Sequence, residues 1–93
     1  LIVGLGRIGS RLAALARAFR MRVIGLKRDP SSASGMVDAV FGPDRLHEAL
    51  AQADVVALTC PLTPETEGLI DPAAFRAMRR TAYLINVARG RVV

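Results

Sequence analysis

The 93-residue sequence has little of several residue types, and each scarcity removes a class of explanation. A single cysteine, Cys60, excludes an intramolecular disulfide framework and fits a reducing compartment, so the cytoplasm is the default expectation. No apolar run approaches the ~20 residues that a membrane-spanning helix needs. We therefore expect no membrane as a partner, and we also expect no bound metal.

Acidic and aromatic residues are also few, with 8 Asp and Glu against 13 Lys and Arg, a net charge of +5, and 4% aromatics. A basic balance alone would fit binding to nucleic-acid phosphates. The arginines, however, fall on predicted helix faces and ends with little aromatic interleaving, which is typical of a solvated basic surface. They are Arg11, Arg17, Arg20, Arg76, Arg79 and Arg80. Nucleic acid is not an expected partner.

What the sequence does contain begins with a glycine motif, G-x-G-x-x-G, at Gly4, Gly6 and Gly9, directly after the apolar run 1–3. The first glycine permits a tight turn, the second lets the backbone approach a pyrophosphate, and the third lets the following helix pack closely. The spacing alone is weak, because it also occurs by chance. Residues 11–20 predict a helix and residues 22–26 a β-branched strand, which completes a βαβ unit and indicates dinucleotide binding. The apolar positions that recur in the helix are Leu12, Leu15, Ala16 and Phe19.

Strands and helices continue to alternate along the rest of the chain. Further strands are predicted at residues 39–41, 55–58 and 83–87. Two further helices are predicted, one with Pro43 in its first turn and one with Asp71 as its N-cap and Pro72 as its first residue. The apolar face of the first of these helices is Leu46, Ala49, Leu50 and Ala53. This order predicts an α/β fold with a doubly wound parallel sheet of the Rossmann type. Three loops, at residues 6–9, 59–66 and 88–90, should meet at the carboxyl ends of the strands, where such sheets bind ligands.

The sequence begins inside the first predicted strand and ends on an apolar run. We expect it to be a dinucleotide-binding domain truncated at both ends, with residues 1–93 covering only part of that domain. A substrate domain, and any targeting segment, would then lie outside this sequence.

The end of the second strand bears on the choice of cofactor. NAD-binding proteins usually carry an acidic residue about 20 residues past the glycines, to bind the ribose 2′-hydroxyl. Here Lys27 occupies that position and Arg28 follows it. Two cations would attract a 2′-phosphate, which favours NADP, whereas Asp29 could reach the ribose of NAD if the loop shifted.

Three blocks together resemble the D-isomer-specific 2-hydroxyacid dehydrogenases. They are GLGRIG at 4–9, CPLTPET at 60–66 followed by GLI at 68–70, and LINVARG at 84–90. The resemblance implies hydride transfer between NAD or NADP and a small 2-keto or 2-hydroxy acid, in a cleft between two domains of a homodimer.

By position, the resemblance places the backbone of Arg7 and Ile8 on the pyrophosphate. The other implied cofactor contacts are Cys60, Pro61 and Thr66 on the adenosine side, and Val87, Ala88 and Arg89 at the nicotinamide end. Arg89 matches the arginine that holds the substrate carboxylate and polarises its carbonyl, and it is the one catalytic residue predicted here.

The implied chemistry also needs a histidine as general acid/base, tuned by a carboxylate. The only histidine, His47, is predicted to lie on a solvated helix surface remote from the carboxyl-end crevice. In the family both groups lie downstream of the 84–90 block, so this segment alone is not expected to be active. Cys60 has no neighbouring base in the sequence and is expected to face the cofactor rather than act as a nucleophile.

Three functional classes stay open at this point. The first is a reductase of glyoxylate, hydroxypyruvate or a similar small acid. The second is a non-enzymatic, dinucleotide-gated interaction protein similar to the C-terminal-binding-protein corepressors. The third is a related enzyme such as a phosphoglycerate or formate dehydrogenase.

Overall fold

The computed structural model describes residues 1–33 and 35–93. Within them the strands are β1 (Ile2–Val3), β2 (Ile24–Leu26), β3 (Ala39–Phe41), β4 (Val55–Leu58) and β5 (Tyr83–Asn86). The α-helices are α1 (Arg7–Ala18), α2 (Leu46–Leu50) and α3 (Pro72–Ala77), with 3₁₀ turns at Pro30–Ala33, Pro43–Arg45 and Gly90–Val92. None of the helices in this described part of the chain is both long and apolar enough to cross a membrane.

The five strands form one parallel sheet in the order β3-β2-β1-β4-β5. The chain builds outward from β1 to β3 and then crosses to the other side of β1, so the order reverses between β1 and β4. This arrangement confirms the predicted doubly wound sheet. In such a sheet the crevice at the carboxyl ends of the two strands that flank the reversal is the usual ligand site.

The hydrophobic core lies in two clusters, one on each face of the sheet. The larger one holds the buried faces of α2 and α3 against the strands, and Leu50, Val56 and Leu58 in it are fully buried. The smaller one holds α1 against the sheet through Ile2, Leu5, Ala13, Val23 and Val37. All four apolar positions predicted for the helix after Pro43 are buried, as expected.

Helix α1 differs from its prediction in its start and in its buried face. It begins at Arg7, four residues before the predicted start at residue 11, so Gly9 lies in its first turn. Its buried residues are Gly9 and Ala13, whereas Leu15 is 61% and Phe19 80% exposed. Small side chains lie deepest because the helix is close to the sheet. Of the predicted apolar positions, Leu12 and Ala16 pack half-buried against the same cluster, whereas Leu15 and Phe19 lie outside it.

Two strand boundaries also differ by one or two residues. Strand β2 begins at Ile24 rather than at residue 22, because the carboxylate of Asp38 accepts the backbone N–H of Val23 at 2.8 Å. Strand β5 ends at Asn86, one residue earlier than predicted. At α3 the predicted cap is confirmed, since the side chain of Asp71 accepts the N–H of Ala74 at 2.8 Å and Pro72 opens the helix.

Candidate functional site

The glycine turn between β1 and α1 occupies the carboxyl edge of the sheet at the reversal of strand order. Gly4 has φ of +95°, a conformation that favours glycine, and its N–H donates to the carbonyl of Leu26 at 2.9 Å. A Cβ on Gly4 would lie 2.7 Å from the Cα of Cys60. The first glycine therefore permits the turn and also the close approach of the loop after β4.

Gly9 sets the distance between α1 and the strands. A Cβ at this position would lie 2.0 Å from the carbonyl oxygen of Gly4 and 2.8 Å from the hydroxyl of Thr59. That hydroxyl lies 2.6 Å from the Gly4 carbonyl oxygen, to which it donates. Thr59 thus ties the end of β4 to the glycine turn, a role that the sequence analysis did not assign to it.

Gly6 has a different environment, because a Cβ built on it meets no atom of residues 1–33 and 35–93 within 4 Å. It is the N-cap of α1, with φ of −81°, and no side chain in the described part of the chain caps that helix end. The first turn of α1 also contains no acidic residue. Its backbone N–H groups and the positive end of the helix dipole are therefore free to meet an anion.

A cavity of about 480 Å³ opens beside this turn. Its walls are the ends of β1, β2 and β4 and the loop that follows β4. The lining residues are Val3, Gly4, Leu5, Gly6, Leu26, Lys27, Arg28, Pro43, Cys60, Pro61, Thr63, Glu65, Thr66 and Leu69. The predicted site residues Gly4, Gly6, Lys27, Arg28, Cys60, Pro61 and Thr66 are thus brought together in one concave surface.

The charged wall of the cavity is formed by Lys27 and Arg28 at the end of β2. Lys27 is held there by its N–H, which donates to the carbonyl of Phe41 at 3.0 Å. Asp29 does not line the cavity, since its carboxylate accepts the hydroxyl of Ser31 at 2.7 Å and the N–H of Ser31 at 3.3 Å. The wall therefore presents cations, with the nearest acidic residue of that loop bound into its own turn.

Glu65 lines the cavity with these cations and was not among the predicted site residues. A hydrogen bond from its own backbone N–H lowers the pKa of Glu65, with a second contribution from the side chain of Thr63 and a smaller one from the charge of Arg28. The carboxylate is therefore ionised at neutral pH, and it competes with any bound anion for the positive charge of Arg28. No pattern in the sequence placed it in the same cavity as that arginine.

Cys60 and Thr66 shape the loop after β4. Cys60 is 7% exposed, and burial raises the pKa of its thiol, so the sulfur stays protonated at neutral pH. The hydroxyl of Thr66 accepts the N–H of Thr63 at 2.8 Å and donates to the carbonyl of Pro61 at 2.7 Å. Both side chains thus build the cavity wall, and neither is arranged as a nucleophile.

The remaining predicted residues lie outside this cavity. Arg7, Ile8 and Gly9 form the first turn of α1 directly after Gly6, and Val87, Ala88 and Arg89 form the loop after β5. Arg89 is exposed, and its Nη1 donates to the carbonyl of Ala88 at 2.9 Å. The three loops predicted to meet therefore share the carboxyl edge, but only two of them line the cavity.

Backbone pairing links the loop after β5 to the one that carries the cavity wall. The N–H of Gly68 donates to Arg91 at 2.8 Å, and that of Ile70 donates to Val92 at 3.0 Å. An ion pair between Arg91 and Glu67 closes the same junction. The segment that bears Arg89 is thus tied to the loop after β4.

His47 is exposed on α2, as predicted, and lines a separate hollow with Glu48 and Asp71. That hollow shares Pro43, Glu65 and Leu69 with the cavity, so His47 lines a hollow that adjoins the cavity rather than one remote from it. In residues 1–33 and 35–93 no group of three or more His, Cys, Asp or Glu side chains could hold a metal ion.

Known proteins similar to this chain share one family. The family model for the NAD binding domain of the D-isomer specific 2-hydroxyacid dehydrogenases matches residues 1–93. A glyoxylate reductase of Pyrococcus horikoshii is 42% identical over 93 residues, covering 99% of this chain and 27% of that protein. A glycerate dehydrogenase of Methylorubrum extorquens is 38% identical over 92 residues, covering 99% of this chain and 26% of that protein. The chain thus spans about a quarter of the length of these curated relatives.

Solved structures agree with this match. A D-isomer specific 2-hydroxyacid dehydrogenase from Xanthobacter autotrophicus superposes with a TM-score of 0.90 at 37% identity, over 99% of this chain and 30% of that one. A structure from the same organism, in complex with NADPH and MES, has a TM-score of 0.87 at 35% identity, over 99% of this chain and 28% of that one. A structure from Lactobacillus delbrueckii, in its NAD complexed form, has a TM-score of 0.87 at 33% identity, over 99% of this chain and 27% of that one.

The two glycines at the helix start should respond differently to alanine. Gly6→Ala should leave the free energy of unfolding within ~0.5 kcal/mol of wild type, since its Cβ meets no atom, yet weaken dinucleotide binding about tenfold or more by filling the space above the turn. Gly9→Ala should destabilise the protein by ~1–3 kcal/mol, because its Cβ overlaps the Gly4 carbonyl. Urea denaturation and fluorescence titration with NADPH measure the two effects. Equal destabilisation by both substitutions would contradict this assignment.

Proposed function

The chain belongs to the D-isomer specific 2-hydroxyacid dehydrogenases, whose NAD binding domain it matches over residues 1–93, and from this premise we propose that it is the cofactor-binding part of a two-domain reductase. The enzyme interconverts a small 2-keto acid and a D-2-hydroxy acid. Glyoxylate is the first substrate to test, because relatives up to 42% identical are named glyoxylate reductase. The second domain, which supplies the rest of the substrate cleft, lies outside residues 1–93.

The observation that carries the proposal is the open cradle at Gly6. The space that a Cβ would fill there faces a helix end whose first-turn N–H groups have no side-chain cap. The adjoining cavity has an apolar floor and a cationic end at Lys27 and Arg28. A pyrophosphate on the helix end with an adenosine in the cavity matches each of these features.

The residues of this chain have distinct parts in binding the dinucleotide. The backbone N–H groups of Arg7 and Ile8 hold the pyrophosphate, and the loop after β4 covers the adenosine side through Cys60, Pro61 and Thr66. Val87 and Ala88 border the nicotinamide end at the loop after β5. The bound nicotinamide supplies the hydride.

Arg89 binds the substrate on the same edge of the sheet. Its guanidinium is exposed, and its Nη1 is engaged with the neutral carbonyl of Ala88. A substrate carboxylate is a stronger acceptor, because charge-assisted bonds to a bidentate arginine are about twice as strong as neutral ones. Arg89 therefore holds the carboxylate and directs positive charge towards the adjacent carbonyl, while the proton comes from an acid outside this segment.

NADPH is the preferred cofactor in this proposal. Lys27 and Arg28 stand at the end of β2, where a 2′-phosphate would lie, and Asp29 is held in its own turn by Ser31. The carboxylate of Glu65 offsets part of the charge of Arg28, so the preference rests on both cations together.

The homodimer implied by the family resemblance is part of the same proposal. Ile8 and Leu15 on α1, and Phe19 at its C-cap, are 64%, 61% and 80% exposed, respectively. These side chains form an apolar stripe on the outer face of the cofactor-binding part, and exposed apolar area of this kind is typical of interfaces.

A turnover assay on the full-length protein tests the proposed reaction. NADPH and NADH oxidation is followed with glyoxylate, hydroxypyruvate and pyruvate as substrates, and we expect turnover with a higher kcat/KM for NADPH. Tight dinucleotide binding without turnover would contradict the enzymatic proposal and favour an interaction protein gated by the dinucleotide. Turnover that favours NADH would retain the enzyme and overturn the assignment of the two cations.

The charge pair at the end of β2 is tested by Lys27→Asp combined with Arg28→Gln. The ratio of kcat/KM for NADPH over NADH should fall by about tenfold or more, because two charge-assisted contacts to the 2′-phosphate are lost. Arg80→Asp combined with Arg76→Gln is the matched control, since it changes the net charge equally at exposed residues outside the cavity. An unchanged ratio in the first variant, or an equal fall in the control, would contradict the assignment.

The role of Arg89 is tested by Arg89→Lys, which retains the charge but loses the planar pair of donors. We expect kcat/KM for the 2-keto acid to fall by about 100-fold while the Kd for NADPH stays within about twofold. Arg91→Lys is the control, because Arg91 lies two residues further on and pairs with Glu67 instead. Wild-type activity in Arg89→Lys would remove Arg89 from the site.

A further inference from the structure

We propose that Asn86 is a positioning residue that closes the turn 86–89 and thereby presents the guanidinium of Arg89 to the substrate carboxylate. This inference rests on the proposed function, because Asn86 is inferred to position Arg89, the residue to which that function assigns substrate binding. Asn86 is the last residue of β5, and Arg89 follows it after two residues.

The side chain of Asn86 makes two hydrogen bonds across this turn. Its Nδ2 donates to the carbonyl oxygen of Arg89 at 2.9 Å, and its Oδ1 accepts the N–H of Ala88 at 3.0 Å. The amide orientation follows from these partners, since the reversed amide would set donor against donor and acceptor against acceptor. One side chain therefore bonds to the backbone of the two residues that end the turn.

The turn is also anchored at both of its ends. Asn86 is paired in register with Leu58 of the buried strand β4, and the N–H of Val87 donates to the Leu58 carbonyl at 3.2 Å. Beyond Arg89, the backbone of residues 91–92 pairs with residues 68–70. The carbonyl of Arg89 also accepts the N–H of Val92, and that of Gly90 accepts the N–H of Val93, each at 3.1 Å, so the 3₁₀ turn fixes the chain after Arg89. Between Val87 and Arg89, the Asn86 amide determines the path by which the chain reaches Arg89.

The chemistry of the turn requires an amide rather than a carboxylate. Aspartate would keep an acceptor for the N–H of Ala88 but would have no donor for the Arg89 carbonyl, which it would repel. Its negative charge would also lie next to Arg89 and compete with the substrate carboxylate for the guanidinium. Asparagine supplies both hydrogen bonds and adds no charge.

The test measures Asn86→Ala and Asn86→Asp in the full-length protein, alone and combined with Arg89→Lys. Glyoxylate turnover, the Kd of NADPH and the Kd of oxamate for the NADPH-loaded protein are the readouts, because oxamate is an unreactive analogue of a 2-keto acid. Tyr83→Phe is the control, since Tyr83 begins the same strand and is 71% exposed.

For Asn86→Ala we expect KM for glyoxylate and Kd for oxamate to rise about tenfold, with kcat affected less and the Kd of NADPH within about twofold. Asn86→Asp should be at least as impaired. In the Arg89→Lys background, loss of Asn86 should add little, because a residue that acts through Arg89 has no further effect once Arg89 is changed.

Different outcomes would overturn the positioning role, the proposed function, or both. Additive losses in the double variant, or a parallel fall in NADPH affinity and thermal stability, would overturn the positioning role. Oxamate binding that depends jointly on Asn86 and Arg89, in a protein that turns over no 2-keto acid, would overturn the proposed function and support the role of Asn86. A parent protein that neither binds oxamate nor turns over a 2-keto acid would overturn both.

Discussion

The close approach of helix α1 to the turn after β1 is the constraint on which the rest of the site depends. Gly9 faces the carbonyl of Gly4 at a distance that admits no side chain, and the hydroxyl of Thr59 bonds to that same carbonyl. One contact therefore joins the first strand, the first helix and the fourth strand. It directs the uncapped start of α1 towards the cavity and draws the loop after β4 against the glycine turn, where Cys60 packs beside Gly4.

In the proposed function, the carboxyl edge of the sheet divides cofactor binding and substrate binding between two loops that are tied together. The cavity, with its cationic wall, lies between β2, β1 and β4, whereas Arg89 stands on the loop after β5 and outside the cavity. Backbone pairing between residues 68–70 and 91–92 joins the two loops. The cavity and Arg89 are thus held at a fixed relative position. Transfer between a cofactor and a separate substrate requires such a fixed orientation.

Much of the fold could be predicted because it follows from local patterns. The third and fourth strands were predicted with their observed bounds, and the Asp71 cap was predicted from residue types alone. The errors arose where tertiary contacts decide. On α1, the predicted positions Leu12 and Ala16 pack against the core, yet close packing selected Gly9 and Ala13 for the fully buried sites and left Leu15 and Phe19 exposed. The roles of the site residues, including Arg89, stay predictions.

The sequence by itself determined the alternation of strands and helices, the glycine turn, and the residue types available at the carboxyl edge, because these depend on backbone freedom, side-chain branching and hydrophobic period within short segments. Only the tertiary structure decided which of those residues meet. It brought Glu65 into the same cavity as Arg28, bonded Asp29 to Ser31 outside that cavity, and engaged Asn86 with the backbone of Ala88 and Arg89. Such contacts depend on the spacing of packed elements and on competition among hydrogen-bond partners, which no local pattern records.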